Sequence, residues 1–192
     1  MYDDKVIGQI KNLLIKQGQT IAVAESLTSG HLQVALASAE NASKFFQGGI
    51  TAYNLGQKAR HLKIEPIHAE SCNCVSEKVA SQMALNVIDL FSTDWSIGIT
   101  GYAAPVPECS VETPFAYYAI CFRNKLLRVN KIESDKKDPM QVQINFVNTV
   151  LRDLLDCIKS DPTQSSFSSN DLNSMSSRLA SAGPVSTSPS TE

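Results

Sequence analysis

TIAVAESLTSG, Thr20 to Gly30, changes character halfway along. The first half, Thr20-Ile-Ala-Val-Ala24, is short, apolar and partly β-branched, as a buried strand is. Glu25-Ser-Leu-Thr-Ser-Gly30 then turns polar, and apolar residues resume at helical spacing with Leu32, Ala35 and Leu36. A strand that runs through a polar turn into a helix start belongs to an α/β fold.

The flanking sequence extends this pattern. Upstream, Val6, Ile10, Leu13 and Leu14 recur at helical spacing and Gly18 is a stop, which predicts an amphipathic helix covering one sheet face. Downstream, Gly49 to Tyr53 reads as a strand, Asn54-Leu-Gly56 as a turn, and Pro66 as a break. Ser76 is a candidate N-cap for a helix over Glu77 to Phe91, with Val79, Met83, Val87 and Leu90 facing the core. Trp95 to Thr100 reads as a buried strand. Phe115 to Phe122 and Leu126 to Ile132 form a hairpin across Arg123-Asn124-Lys125, so the sheet is mixed rather than purely parallel. Asp138 and Pro139 open a last helix whose stripe is Val142, Phe146, Val150, Leu154 and Ile158. The expected architecture is a three-layer α/β/α domain over residues 1–159, a mixed sheet flanked by helices. Residues 160–192, rich in Ser with few large apolar side chains, read as a disordered tail, with Leu172, Met175 and Leu179 as a partner-binding alternative.

Composition narrows the function. The chain has 192 residues, 43% hydrophobic and 19% charged, with 17 basic against 19 acidic residues and a net charge of -2. That balance carries no field for a nucleic acid backbone or an anionic membrane, and small metabolites remain as ligands. The five cysteines lack CxxC spacing and the start MYDDKVIGQI has no signal-peptide pattern, which points to a reduced, cytoplasmic setting. Cys72-x-Cys74 with a histidine is a weak zinc pattern, and neither a metal nor a cofactor is expected.

Ligands in such sheets settle beyond the carboxyl ends of strands. Two loops meet that description: Ser26, Thr28 and Gly30 at a helix mouth, and Thr100-Gly101 at the end of the Trp95 strand. A helix cap explains the first equally well, and tight packing explains Gly98 and Gly101 equally well. A third segment, Ser43 through Tyr53 to Lys58, holds the parts of a nucleophile activated without histidine, although ordinary surface residues are the plainer reading of all three.

Taken in order, these segments resemble the C-terminal domain of the competence/damage-inducible CinA proteins, a domain that also occurs alone as nicotinamide-nucleotide amidase. AESLTSG at 24–30 is similar to AESCTGG, GITGYAAP at 98–105 to GI[ST]GIAGP, and GITAYNLGQK at 49–58 to GxVTYSNEAK. The likeness covers residues 5 to about 158. It implies hydrolysis of the carboxamide of nicotinamide mononucleotide, with Ser43 as nucleophile, Lys58 as its base and Tyr53 relaying a proton. It also implies Ser26, Thr28, Gly30, Thr100, Gly101 and Lys136 as the nucleotide-binding set, and leaves a homodimer open.

Two departures qualify the resemblance. The glycine-rich continuation after the 98–105 loop is replaced by Pro105-Val-Pro-Glu-Cys-Ser-Val-Glu-Thr-Pro114, carrying Glu108 and Glu112. A Gly-Asp-Arg element becomes Ser134-Asp135-Lys136, which keeps a charge but loses the planar fork suited to phosphate. These changes and the Ser-rich tail support the alternative reading, a non-catalytic relative that binds a nucleotide or a protein partner, while Ser43, Tyr53, Lys58 and Thr100 keep the amidohydrolase first.

Overall fold

A computed structural model of the chain describes residues 1–160. The element order begins α1 (Asp4–Gln17), β1 (Ile21–Glu25), α2 (His31–Ala37), β2 (Phe46–Thr51), α3 (Leu55–Leu62), α4 (Pro66–Ser71) and α5 (Glu77–Phe91). It continues β3 (Trp95–Tyr102), β4 (Phe115–Phe122), β5 (Lys125–Glu133) and α6 (Pro139–Ser160). Residues Met1–Ile158 form one compact unit. The Ser-rich tail, including Leu172, Met175 and Leu179, lies outside the described residues apart from Ser160.

The five strands stand in the order β2-β1-β3-β4-β5, with β1 parallel to β2 and β3, and β4 antiparallel to both β3 and β5. The mixed sheet follows from the two-residue turn Arg123-Asn124, both at positive φ (46° and 63°), which joins β4 to β5 as a tight hairpin. Period-two alternation sorts the strand residues onto two faces. Ile21 and Val23, with Ile97, Ile99, Tyr118 and Ile120, pack against α1, α2 and α6. Ala22 and Ala24 face Val79, Met83 and Val87 of α5 and Leu62 of α3. The result is an α/β/α sandwich.

Local chemistry explains the helix ends. Asp3 accepts from the Val6 amide to open α1, and Gly18 closes it at φ 62°. Ser76 accepts from the Val79 amide at the start of α5. Asp138 accepts from the Gln141 amide at 3.0 Å, ahead of Pro139. The helix α5 lies close on β3 because Gly98 has no side chain: a Cβ there would sit 2.4 Å from both the Ala80 carbonyl oxygen and the Ala84 nitrogen. Packing therefore accounts for this glycine. Leu90, expected inside, is exposed, and Ile88 takes its core position.

The larger difference lies between β2 and α5. The segment read as a turn and a proline break forms two helices. Asn54 caps α3 by accepting from the Gln57 amide, which overrides the poor helix propensity of Gly56. Glu65 caps α4 through the Ile67 and His68 amides, with Pro66 in the first helical position. Lys58 is thereby carried on a helix rather than on an extended chain.

Candidate active site

The carboxyl ends of β1 and β3 point the same way, and the segments that leave them border a cavity of about 490 Å³. Its wall takes Ser26 and Leu27 from the loop after β1, Tyr53 and Asn54 from the end of β2, and Lys58 from α3. Asn73 and Cys74 come from the segment before α5, and Thr100 to Tyr102 from the end of β3. Gln143 of α6 completes it and donates to the Leu27 carbonyl at 2.6 Å, which ties the loop to the last helix.

The loop after β1 is built on a buried carboxylate. Glu25, fully buried, accepts from the amides of Gly30 (3.2 Å), Leu32 (3.0 Å) and Gln33 (3.0 Å). These are orphan donors of the first turn of α2, so the chain folds back on itself directly after Ser26. Gly30 adopts φ 101°, a conformation that favours glycine.

Lys58 meets Ser26 in this cavity. Its Nζ lies 2.8 Å from Ser26 Oγ, and the lysine is only 1% exposed. Burial pushes the Lys58 amine below the ordinary lysine value, opposed in part by the negative charge that Cys74 carries as a thiolate. Burial pushes that thiol up, and Lys58 draws it back. Among the described residues no carboxylate forms an ion pair with Lys58. A lysine held this way is suited to take a proton from the hydroxyl it touches.

The structure brings together some of the residues expected from sequence and separates others. Tyr53 lies on the cavity wall, 69% exposed. Thr100 borders the cavity and donates to the Cys74 carbonyl at 2.8 Å, which fixes the two walls to each other. Gly101 also lines it, and a Cβ there would lie 2.2 Å from the Phe115 carbonyl oxygen, so β4 needs that glycine as much as the cavity does.

Ser43 is elsewhere. It sits exposed in a 3-10 turn over Ala42–Lys44, before β2, whereas Tyr53 and Lys58 follow β2. The six-residue strand between them spans about 20 Å at roughly 3.3 Å per residue. The expected approach of Ser43 to Lys58 is therefore corrected: Lys58 turns to Ser26. Thr28 is buried, and its hydroxyl has no hydrogen-bond partner among the described residues. Neither Thr28 nor Gly30 is part of the cavity wall. Lys136 also lies apart, lining a second cavity with Glu112, Ser134 and Asp135, its Nζ 3.5 Å from Asp135 Oδ1.

Sequence reasoning gave Ser26 a binding role and missed its contact with Lys58. The available signal was the Glu-Ser pair at a strand end, because catalytic groups gather at the carboxyl edge of such sheets. Asn73 carried no signal of its own, whereas Gln143 stands where the resemblance places an arginine on the last helix, and Tyr102 lies in the strand-end loop that the resemblance matches. Among the described residues no three His, Cys, Asp or Glu side chains gather as a metal site, and no helix is long and apolar enough to cross a membrane.

Comparison with known proteins places this geometry in a family. The sequence model described as CinA C-terminal domain matches residues 3–158. A CinA-like protein of Prochlorococcus marinus is 41% identical over 104 residues, covering 54% of this chain and 25% of the relative. Another Prochlorococcus marinus CinA-like protein is 31% identical over 144 residues, 73% of this chain and 34% of the relative. The chain thus spans about a quarter to a third of the length of these relatives. Among solved structures, a competence or damage-inducible protein from Enterobacter asburiae superposes with a TM-score of 0.75 at 26% identity, covering 82% of this chain and 99% of that one. A CinA superfamily protein from Escherichia coli gives a TM-score of 0.72 at 28% identity, with 79% and 88% covered.

Proposed function

Because the chain belongs to the CinA C-terminal domain family, we propose that its cavity hydrolyses a linear carboxamide of the nicotinamide type, through Ser26 as nucleophile and Lys58 as base. The observation that carries this reading is the 2.8 Å contact between Lys58 Nζ and Ser26 Oγ inside a buried wall. At that separation the neutral amine accepts the hydroxyl proton while Oγ bonds to the carboxamide carbon. The amide of Leu27, which follows Ser26 directly and lines the cavity, is assigned as a donor to the developing oxyanion. The C–N bond then breaks as the proton returns from Lys58, relayed by Tyr53 at the mouth, and ammonia leaves. Water attacks the resulting ester with Lys58 again as base, the bond to Ser26 breaks as Lys58 returns that proton to Oγ, and a carboxylic acid departs. The depressed basicity of Lys58 supports this role, since a base must be neutral at the working pH.

Ser43 has no part in this scheme. A non-catalytic relative would have no need to bury a lysine against a serine, since the burial alone costs stability. The test is ammonia release from nicotinamide mononucleotide and nicotinamide riboside by wild type and Lys58→Arg. Arginine keeps the charge and cannot act as a base, so turnover falls by a hundredfold or more, on the order expected for a lost general base. Retention of most of the activity would reduce Lys58 to an electrostatic anchor and remove the mechanism.

A further inference from the structure

The charge of the cavity says what the rest of the substrate is. Among the described residues lining it, Lys58 is the sole Lys, Arg or His, and it is spoken for: buried, bonded to Ser26 and required neutral for the chemistry. The remaining polar wall is uncharged, supplied by Tyr53, Asn54, Asn73, Thr100, Tyr102 and Gln143. A phosphate dianion entering such a wall loses its hydration and gains no cation.

The helix N-termini at the cavity are partly committed to their own caps. Helix N-termini bind anions through free amides, and two helices, α3 and α6, begin at this cavity. Asn54 already accepts from the Gln57 amide of α3 at 3.0 Å. Pro139 has no amide to offer at the start of α6, and the Asp138 carboxylate already accepts from the Gln141 amide at 3.0 Å. Asp138 places a negative charge where an incoming anion would otherwise dock. Lys136, the cation that sequence pointed to for phosphate, lines a different cavity beside Glu112 and Asp135. The segment that leaves the wall at Val106 pairs back on Val111 and carries Glu108 between them. On the wall itself, Tyr53 is open to solvent and Tyr102 is held by the Asn73 amide at 2.9 Å. Both line the cavity, and tyrosine rings attract a flat, cationic heterocycle.

We infer that this chain's site takes an unphosphorylated carboxamide on a neutral or cationic ring, such as a pyridinium nucleoside, in preference to its 5′-phosphate. The inference rests on the Ser26–Lys58 hydrolase reading and narrows its substrate. The cavity gives the carboxamide a nucleophile and the ring an uncharged polar wall, and among its described lining residues it gives an anion no free cation.

The experiment compares ammonia release from nicotinamide riboside and nicotinamide mononucleotide by wild type and by Lys136→Gln, each at two salt concentrations. The expected result is a kcat/KM for the riboside at least tenfold above that for the mononucleotide. Lys136→Gln leaves both values unchanged, because that lysine lines the other cavity. Equal or better turnover of the mononucleotide overturns the inference while the hydrolase reading stands. A loss confined to the mononucleotide in Lys136→Gln overturns it as well, by showing that the lysine reaches the phosphate. Absence of ammonia from both substrates removes the hydrolase reading and this inference with it.

Discussion

Glu25→Gln tests whether the buried carboxylate holds the loop that presents Ser26. One carboxylate oxygen accepts from Gly30 and Leu32 and the other from Gln33. Glutamine is nearly the same size but offers one acceptor, so its NH₂ must face at least one backbone N–H, donor against donor. One charge-assisted bond is lost outright, worth about 1.5–3 kcal/mol, and the remaining bonds fall to neutral strength. Relief from burying a full charge offsets part of this. The net is a destabilisation of about 2–4 kcal/mol, which for a chain of this size is a fall in Tm of roughly 4–16 °C. The assay is urea unfolding beside ammonia release. Activity falls further than stability alone requires, because Ser26 is the next residue and a displacement near 1 Å costs about a hundredfold. A stability change under about 1 kcal/mol, with turnover intact, would refute the reasoning by showing that water replaces the carboxylate without moving the loop.

Two further substitutions probe the packing and the lysine. Gly98→Ala puts a Cβ 2.4 Å from the backbone of α5 and so drives the helix off the sheet, costing about 3 kcal/mol or more; an unchanged urea midpoint would contradict the close approach. Lys58→Met abolishes turnover yet raises stability near neutral pH by about 0.5–2 kcal/mol, because an apolar side chain fills the same space without the cost of burying an amine that is protonated in the unfolded chain. The Lys58 amine is lowered below 10.5 on folding, so between its folded value and 10.5 the unfolded chain binds more protons and wild-type stability rises with pH. The advantage of Lys58→Met therefore narrows as pH climbs toward 10.5, and a gap that stays constant across that range would show that the lysine is not perturbed.

Much of the fold was legible because its elements announce themselves locally. The helix Glu77–Phe91 and the strand Phe115–Phe122 match their expected bounds, and the hairpin turn sits between the two runs of strand formers. The helices α3 and α4 were not legible, since Gly56 and Pro66 read as breakers while their stabilisation comes from capping side chains at Asn54 and Glu65. The pairing of Ser43 with Lys58 came from the resemblance and not from the local reading of the chain; with Lys58 one turn into a helix beyond β2, its neighbour is the end of β1. Tyr53 and Lys58 were legible as a pair because both follow the same strand. The serine was not, because β2 itself stands between the two candidates, and only the parallel pairing of β1 with β2 brings Ser26 to the correct edge.

The measurement that tests the account most directly is turnover in Ser26→Ala against Ser43→Ala, with the substrate that wild type hydrolyses faster and mass spectrometry of the quenched enzyme. The account predicts that Ser26→Ala loses ammonia release by a hundredfold or more, on the order expected when a nucleophile is removed, and leaves no acyl adduct. Ser43→Ala keeps wild-type turnover, and quenched wild-type enzyme carries the adduct on the peptide containing Ser26. Full activity in Ser26→Ala, or an adduct on Ser43, would contradict it.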